Sequence, residues 1–171
     1  MKKTIVLYRS KTGFSKRYAE WIAEDLTCEC RSIKGVKLDD LQDYGVVIYG
    51  AGVYAGMIAG LGKIKNWMEK SPEKTWVVFA TGATPPKEGY EELIFKTNFH
   101  KGESRPAHFY YFLSGINYEK MGLFNRILMK ILSGRASKKN GIPQPAKPAS
   151  INLANREYTA ELLSYVHLKA R

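Results

Sequence analysis

The stretch from Ile5 to Ile22 constrains this chain most. Residues 4–8 form an apolar run rich in β-forming side chains, and residues 9–15 form a short polar loop. A helical pattern follows, with Tyr18, Ala19, Ile22, Ala23 and Leu26 at helical spacing. The order is strand, loop, helix. Ser10, Thr12 and Ser15 place hydroxyls at the mouth of the helix, and Gly13 lets the backbone turn and approach a ligand closely. The first N–H groups of any helix lack intrahelical partners, and the helix dipole favours negative charge there. The loop suits a phosphate. It has neither the Gly-x-Gly-x-x-Gly spacing of dinucleotide folds nor the Gly-x-x-x-x-Gly-Lys pattern of triphosphate loops.

The rest of the chain repeats the alternation. Strands are expected at residues 28–33, 46–49, 76–80 and 108–113, and helices at 15–26, 59–70, 88–98 and 155–168. Residues 46–49 are almost wholly apolar, as in a strand buried on both faces of a parallel sheet. A Gly-rich loop is expected at 50–56 and a second small-residue loop at 81–86. This pattern predicts a single doubly wound α/β domain over residues 1–171. Ligands of such sheets bind beyond the carboxyl ends of the strands. A chain of 171 residues can bury one sizeable core.

The two cysteines, Cys28 and Cys30, share one face of an expected strand. Without a nearby His they suggest packing rather than a metal site, and none is expected. No signal peptide and no apolar run of membrane-spanning length is found, so a cytoplasmic location is expected. The net charge of +11 is uneven. Eight basic residues and no acidic one fall between Lys120 and Arg156. Charge concentrated in this way speaks of a partner surface rather than of a fold.

Ser10, Lys11, Thr12, Gly13, Phe14 and Ser15 resemble the phosphate loop of the flavodoxins. The resemblance extends through the loops near 50–56 and 81–86. It implies a flavodoxin-like five-stranded parallel sheet in the order 2-1-3-4-5, with FMN as cofactor. By position, Ser10, Lys11, Thr12, Gly13, Phe14 and Ser15 would hold the phosphate. Gly52, Val53, Tyr54 and Ala55 would flank the ring on one side, and Thr81, Gly82 and Ala83 on the other. A peptide flip at Gly52 or Gly56 would let this loop answer the redox state of the ring. The implied role is that of an FMN-dependent redox protein, an oxidoreductase or an electron carrier. Its partner would be a redox protein or a quinone. No residue is assigned as a catalytic acid or base, because the flavin carries the chemistry.

Two features depart from electron-carrier flavodoxins. The chain is basic, and it carries an insert at about residues 117–148. Leu123, Phe124, Ile127, Leu128, Ile131 and Leu132 give the insert an apolar stripe at helical spacing, interleaved with Lys120, Arg126 and Lys130. An extra basic helix and a Pro-rich linker are expected there. The run from Phe124 to Lys130 is similar to the menaquinone-dependent protoporphyrinogen dehydrogenase branch of the flavodoxin-like proteins. That branch implies quinone-dependent protoporphyrinogen oxidation, with residues 120–139 touching a membrane surface. A third reading is a binding module that docks a partner through the basic helix. Nucleic acid is the disfavoured partner, because no aromatics alternate with the charges from Arg126 onward.

Overall fold

A computed structural model describes residues 2–117 and 150–170. The first strand, β1 (Thr4–Arg9), leads into α1 (Phe14–Asp25) and then β2 (Glu29–Ser32). After a 3-10 turn at Leu38–Leu41 come β3 (Val46–Tyr54), the short β4 (Met57–Ile58) and α2 (Leu61–Lys70). The chain continues through β5 (Thr75–Gly82), α3 (Tyr90–Asn98), β6 (His108–Leu113) and β7 (Gly115–Ile116). Beyond the insert lie β8 (Ile151–Asn152), a 3-10 turn at Arg156–Thr159 and α4 (Ala160–Lys169). The expected basic helix of the insert lies outside the described residues.

The main sheet runs β2-β1-β3-β5-β6, with every pair on this path parallel. Among the five parallel strands this is the expected order 2-1-3-4-5. The difference is β4, a short antiparallel partner of β3 that adds one strand to the numbering. The expected loop at 50–56 is also mostly strand. Residues 50–54 extend β3, and only Ala55 and Gly56 form the turn. Both have positive φ, +49° and +82°. That is the type I′ geometry that matches strand twist in a two-residue hairpin. Glycines in this stretch suggest a loop on propensity, but β1 and β5 pair with it on both sides.

Alternation along the strands divides the core into two layers. Ile5, Leu7, Val47, Tyr49, Val78 and Tyr111 face α2 and α3, where Ile64, Trp67, Met68 and Ile94 are buried. Val6, Ile48, Val77, Phe79 and Phe112 face α1 and α4, where Tyr18, Ala19, Ile22, Leu162 and Val166 are buried. Each fully buried large apolar side chain contributes about 1.5–3 kcal/mol. Covered on both faces, the sheet offers its ends to a ligand. Cys28 and Cys30 pack half-buried against the second layer, and burial pushes their thiols up to about 12 and about 11. They are inert packing groups.

One glycine in β3 is a packing requirement. Gly50 pairs with Phe79 on β5, and a Cβ at Gly50 would lie 1.8 Å from the Phe79 Cζ. Both flanking strands are fixed by their ladders, so the ring has nowhere to move. Gly50→Ala is expected to destabilise the fold by about 3 kcal/mol, read as a lower urea midpoint at an unchanged m-value.

Candidate functional site

The loop between β1 and α1 is built by its own small residues. Gly13 takes φ +96°, a left-handed conformation that a side chain would oppose. Its N–H donates to Ser10 Oγ at 3.0 Å, closing the turn. The ladder of α1 starts when Arg17 N–H donates to Gly13 O at 3.0 Å. The N–H groups of Phe14, Ser15 and Lys16 therefore precede the ladder and converge at the helix start. No acidic residue stands in this first turn, while Lys16 and Arg17 do. The loop presents N–H donors, the Thr12 hydroxyl and positive charge, a donor set matched to a phosphate dianion.

Two contacts join this loop to the other predicted segments. Ser15 Oγ and Thr81 Oγ1 lie 2.8 Å apart, and both residues are buried. One hydroxyl donates to the other, so the start of α1 is fastened to the end of β5. The Tyr54 ring folds back over Gly52, where a Cβ would come within 3.0 Å of it. The Tyr54 hydroxyl faces the Thr12 side chain, burial raises its pKa, and Lys11 Nζ lies 5.0 Å from the ring centroid. Residues 10–15, 52–55 and 81–83 thus meet at one edge of the sheet. Of the predicted residues, Phe14 and Ser15 are buried beneath the loop, whereas Lys11 and Ala55 are exposed.

Three supports of this edge carry no sequence motif. Asn98, 1% exposed, donates through Nδ2 to Gly56 O at 2.8 Å, and its Oδ1 accepts from Ile58 N–H at 2.8 Å. It clamps both sides of the β3–β4 hairpin to α3. Gly52 O accepts from Ala59 N–H at 3.0 Å, so the carbonyls of both Gly52 and Gly56 are engaged. A flip of either peptide would first break one of these bonds. The signal for Asn98 was a polar residue on a buried helix face, four positions after Ile94. Tyr111 braces the third segment: its hydroxyl donates to Thr84 O at 2.9 Å, and a Cβ on Gly82 would strike that oxygen at 2.4 Å. Tyr18 donates to Leu113 O at 2.6 Å and accepts from Asn155 N–H at 3.1 Å. Burial pushes its phenol up to about 12.

The insert is rooted at the same edge. Its two ends pair as β7 and β8, and Ser114 O accepts from Leu153 N–H at 2.8 Å. Asn117 Nδ2 donates to Thr12 O at 3.3 Å. A cleft of ≈ 300 Å³ opens between this neck and the start of α1, lined by Thr12, Gly13, Lys16, Arg17, Ile116 and Asn152.

A doubly wound parallel sheet with a hydroxyl-rich loop after its first strand and two further segments gathered beside it defines a flavodoxin-like α/β fold. The family model described as "Flavodoxin domain" matches residues 5–141, and the chain belongs to that family. The cofactor type of the family is FMN, and its role is redox or electron transfer. Among solved structures, the flavodoxin, WrbA-like protein from Agrobacterium tumefaciens is 18% identical, with 81% of this chain and 97% of that chain covered and a TM-score of 0.46. A flavoprotein in complex with FMN from Lactobacillus acidophilus is 19% identical, with 65% and 93% covered and a TM-score of 0.43. A flavodoxin from the domain Archaea is 17% identical, with 80% and 97% covered and a TM-score of 0.43. No curated protein matches the chain. No described helix is long and apolar enough to cross a membrane.

The hydroxyl pair gives a direct test. Ser15→Ala leaves the buried Thr81 hydroxyl without its partner and is expected to destabilise the apo-protein by about 1–3 kcal/mol in urea. Ser15→Thr, which keeps a hydroxyl, is expected to lose much less.

Proposed function

We propose that the chain is an FMN-dependent redox protein whose phosphate site is the loop of Ser10, Lys11, Thr12, Gly13, Phe14 and Ser15. The observation that carries this reading is the convergence of three segments through the Ser15–Thr81 and Tyr54–Thr12 contacts. In this assignment the N–H groups at the start of α1 and the Thr12 hydroxyl bind the phosphate, and Lys11 offsets its charge. The Tyr54 ring offers an aromatic face on one side of the flavin. Gly52, Val53 and Ala55 shape that wall, and Thr81, Gly82 and Ala83 form the opposite one. FMN, when bound, supplies the electron and hydride chemistry. The protein positions the ring, excludes water and fixes the polar groups around it. The hydrogen bonds held by Asn98 and Ala59 make the β3–β4 wall a rigid one.

A finer reading is oxidation of protoporphyrinogen with a quinone as acceptor, at a membrane surface. Its support is the similarity of residues 124–130 to that branch, together with an insert whose two ends join the molecule beside the phosphate loop. Residues 120–139 would then be the membrane contact.

The test is a purification and one spectrum. Protein incubated with FMN and desalted is expected to keep flavin absorption bands, with quenched flavin fluorescence. A colourless protein would end the proposal. Supplied with protoporphyrinogen and a menaquinone analogue, a loaded protein that leaves the quinone oxidised would favour an electron carrier over the finer reading.

A further inference from the structure

We propose that the cofactor edge is the docking surface for an acidic redox protein, which seats carboxylates in a basic groove beside the β3–β4 hairpin. The proposal rests on the FMN reading above. The described residues include nineteen Lys and Arg against fifteen Asp and Glu. That excess is not spread evenly. Arg9 ends β1, and Lys11, Arg17, Lys34, Lys63 and Lys87 follow the carboxyl ends of strands or sit in the first turns of α1 and α2. None of the six has a carboxylate within ion-pair distance among the described residues. Carboxylates are more numerous toward the opposite edge: Glu73 pairs there with Lys74, Glu24 and Asp25 with Arg156, and Glu103 with Lys65, while Asp39, Asp40, Asp43 and Glu69 stand without a cation in ion-pair distance among the described residues. The edge where the flavin would sit is therefore net positive, its six unpaired cations outnumbering Glu88, Glu91 and Glu92 near the start of α3.

The groove gives this charge a shape. It has a volume of ≈ 500 Å³, with the unpaired Arg9 and Lys63 and the Glu103-paired Lys65 on its walls and Ile33, Ile58 and Leu61 among its lining. Lys63 is held in place by donating to Val36 O at 2.8 Å. Met57 stands 54% exposed at the groove. Such a site fits an acidic side chain with some apolar contact, the mixture expected of a transient redox interface. The position makes the partner a redox protein. Met57 and Ile58 of β4 line the groove and pair directly with Tyr54 and Val53, the proposed wall of the flavin site. A partner seated there stands about one strand spacing, roughly 5 Å, from that wall. A lipid surface fits less well. The groove is concave, and Met57 is its one large apolar side chain that is strongly exposed among the described residues. Interfacial binding needs a broad apolar face.

The experiment measures binding of an acidic [2Fe–2S] ferredoxin to the full chain by isothermal titration, apo and FMN-loaded, at several salt concentrations. Basic cytochrome c and vesicles containing phosphatidylserine are the alternative probes. Micromolar binding of ferredoxin that weakens with salt is expected, and cytochrome c is expected not to bind. Lys34→Glu with Lys63→Glu should weaken ferredoxin binding about tenfold. Lys70→Glu with Lys101→Glu, an equal change of net charge at the opposite edge, should leave it within about twofold. In the loaded chain, the rate at which reduced ferredoxin passes one electron to the flavin should fall in parallel with binding. Equal effects of the two double variants, equally tight binding of cytochrome c, or binding of vesicles without ferredoxin would each overturn the proposal. Failure to take up FMN would count against the FMN reading alone, because binding to the apo-protein still decides the docking.

Discussion

The buried hydroxyl pair of Ser15 and Thr81 is the joint on which the proposed cofactor edge depends. Strand ends in a parallel sheet are set by their ladders, but the loops beyond them are not. At 2.8 Å the pair ties the first turn of α1 to the last residues of β5. Removing either hydroxyl would leave the other buried without that partner, so the two residues act as one unit. Around this joint the Tyr54 hydroxyl reaches Thr12, Asn98 holds the hairpin turn, and Tyr111 holds the segment after β5. The edge is fixed before any ligand arrives, which reduces the ordering that binding must impose.

Much of this was legible in the sequence because period and burial coincide. The apolar run at 46–49 and the spacing of Tyr18, Ala19 and Ile22 reported their burial correctly, since each faces a core layer. The turn between β1 and α1 was legible because a left-handed Gly13 among small hydroxyl residues is local chemistry. The extent of β3 was not. Gly50 and Gly52 read as loop residues on propensity, whereas the ladder from β1 and β5 and the ring of Phe79 decide their conformation. The short β4 and the clamp of Asn98 were equally hidden, because both exist through contacts 40 or more residues apart or through a turn of two residues. The candidate site residues appeared as three separate stretches, and the contacts that bring them together are tertiary.

Charge completes the picture at a different level. The family fold does not require a basic chain, and the core would pack the same way with the opposite sign on its surface. Yet six cations at the edge where the three segments meet, Arg9, Lys11, Arg17, Lys34, Lys63 and Lys87, have no carboxylate within ion-pair distance among the described residues. The segment 118–149, with seven basic residues and one acidic residue, joins the protein at that edge through β7 and β8. The fold is thus set by the core, and the proposed choice of partner rests on the charge that surrounds it.

The central claim is that residues 10–15 hold a phosphate. The most direct test compares FMN with riboflavin, which differs by that phosphate alone, in a fluorescence-quenching titration of the apo-protein. Two or more charge-assisted hydrogen bonds to the dianion predict that FMN binds at least about 100-fold more tightly. Equal affinity for the two flavins would contradict the account.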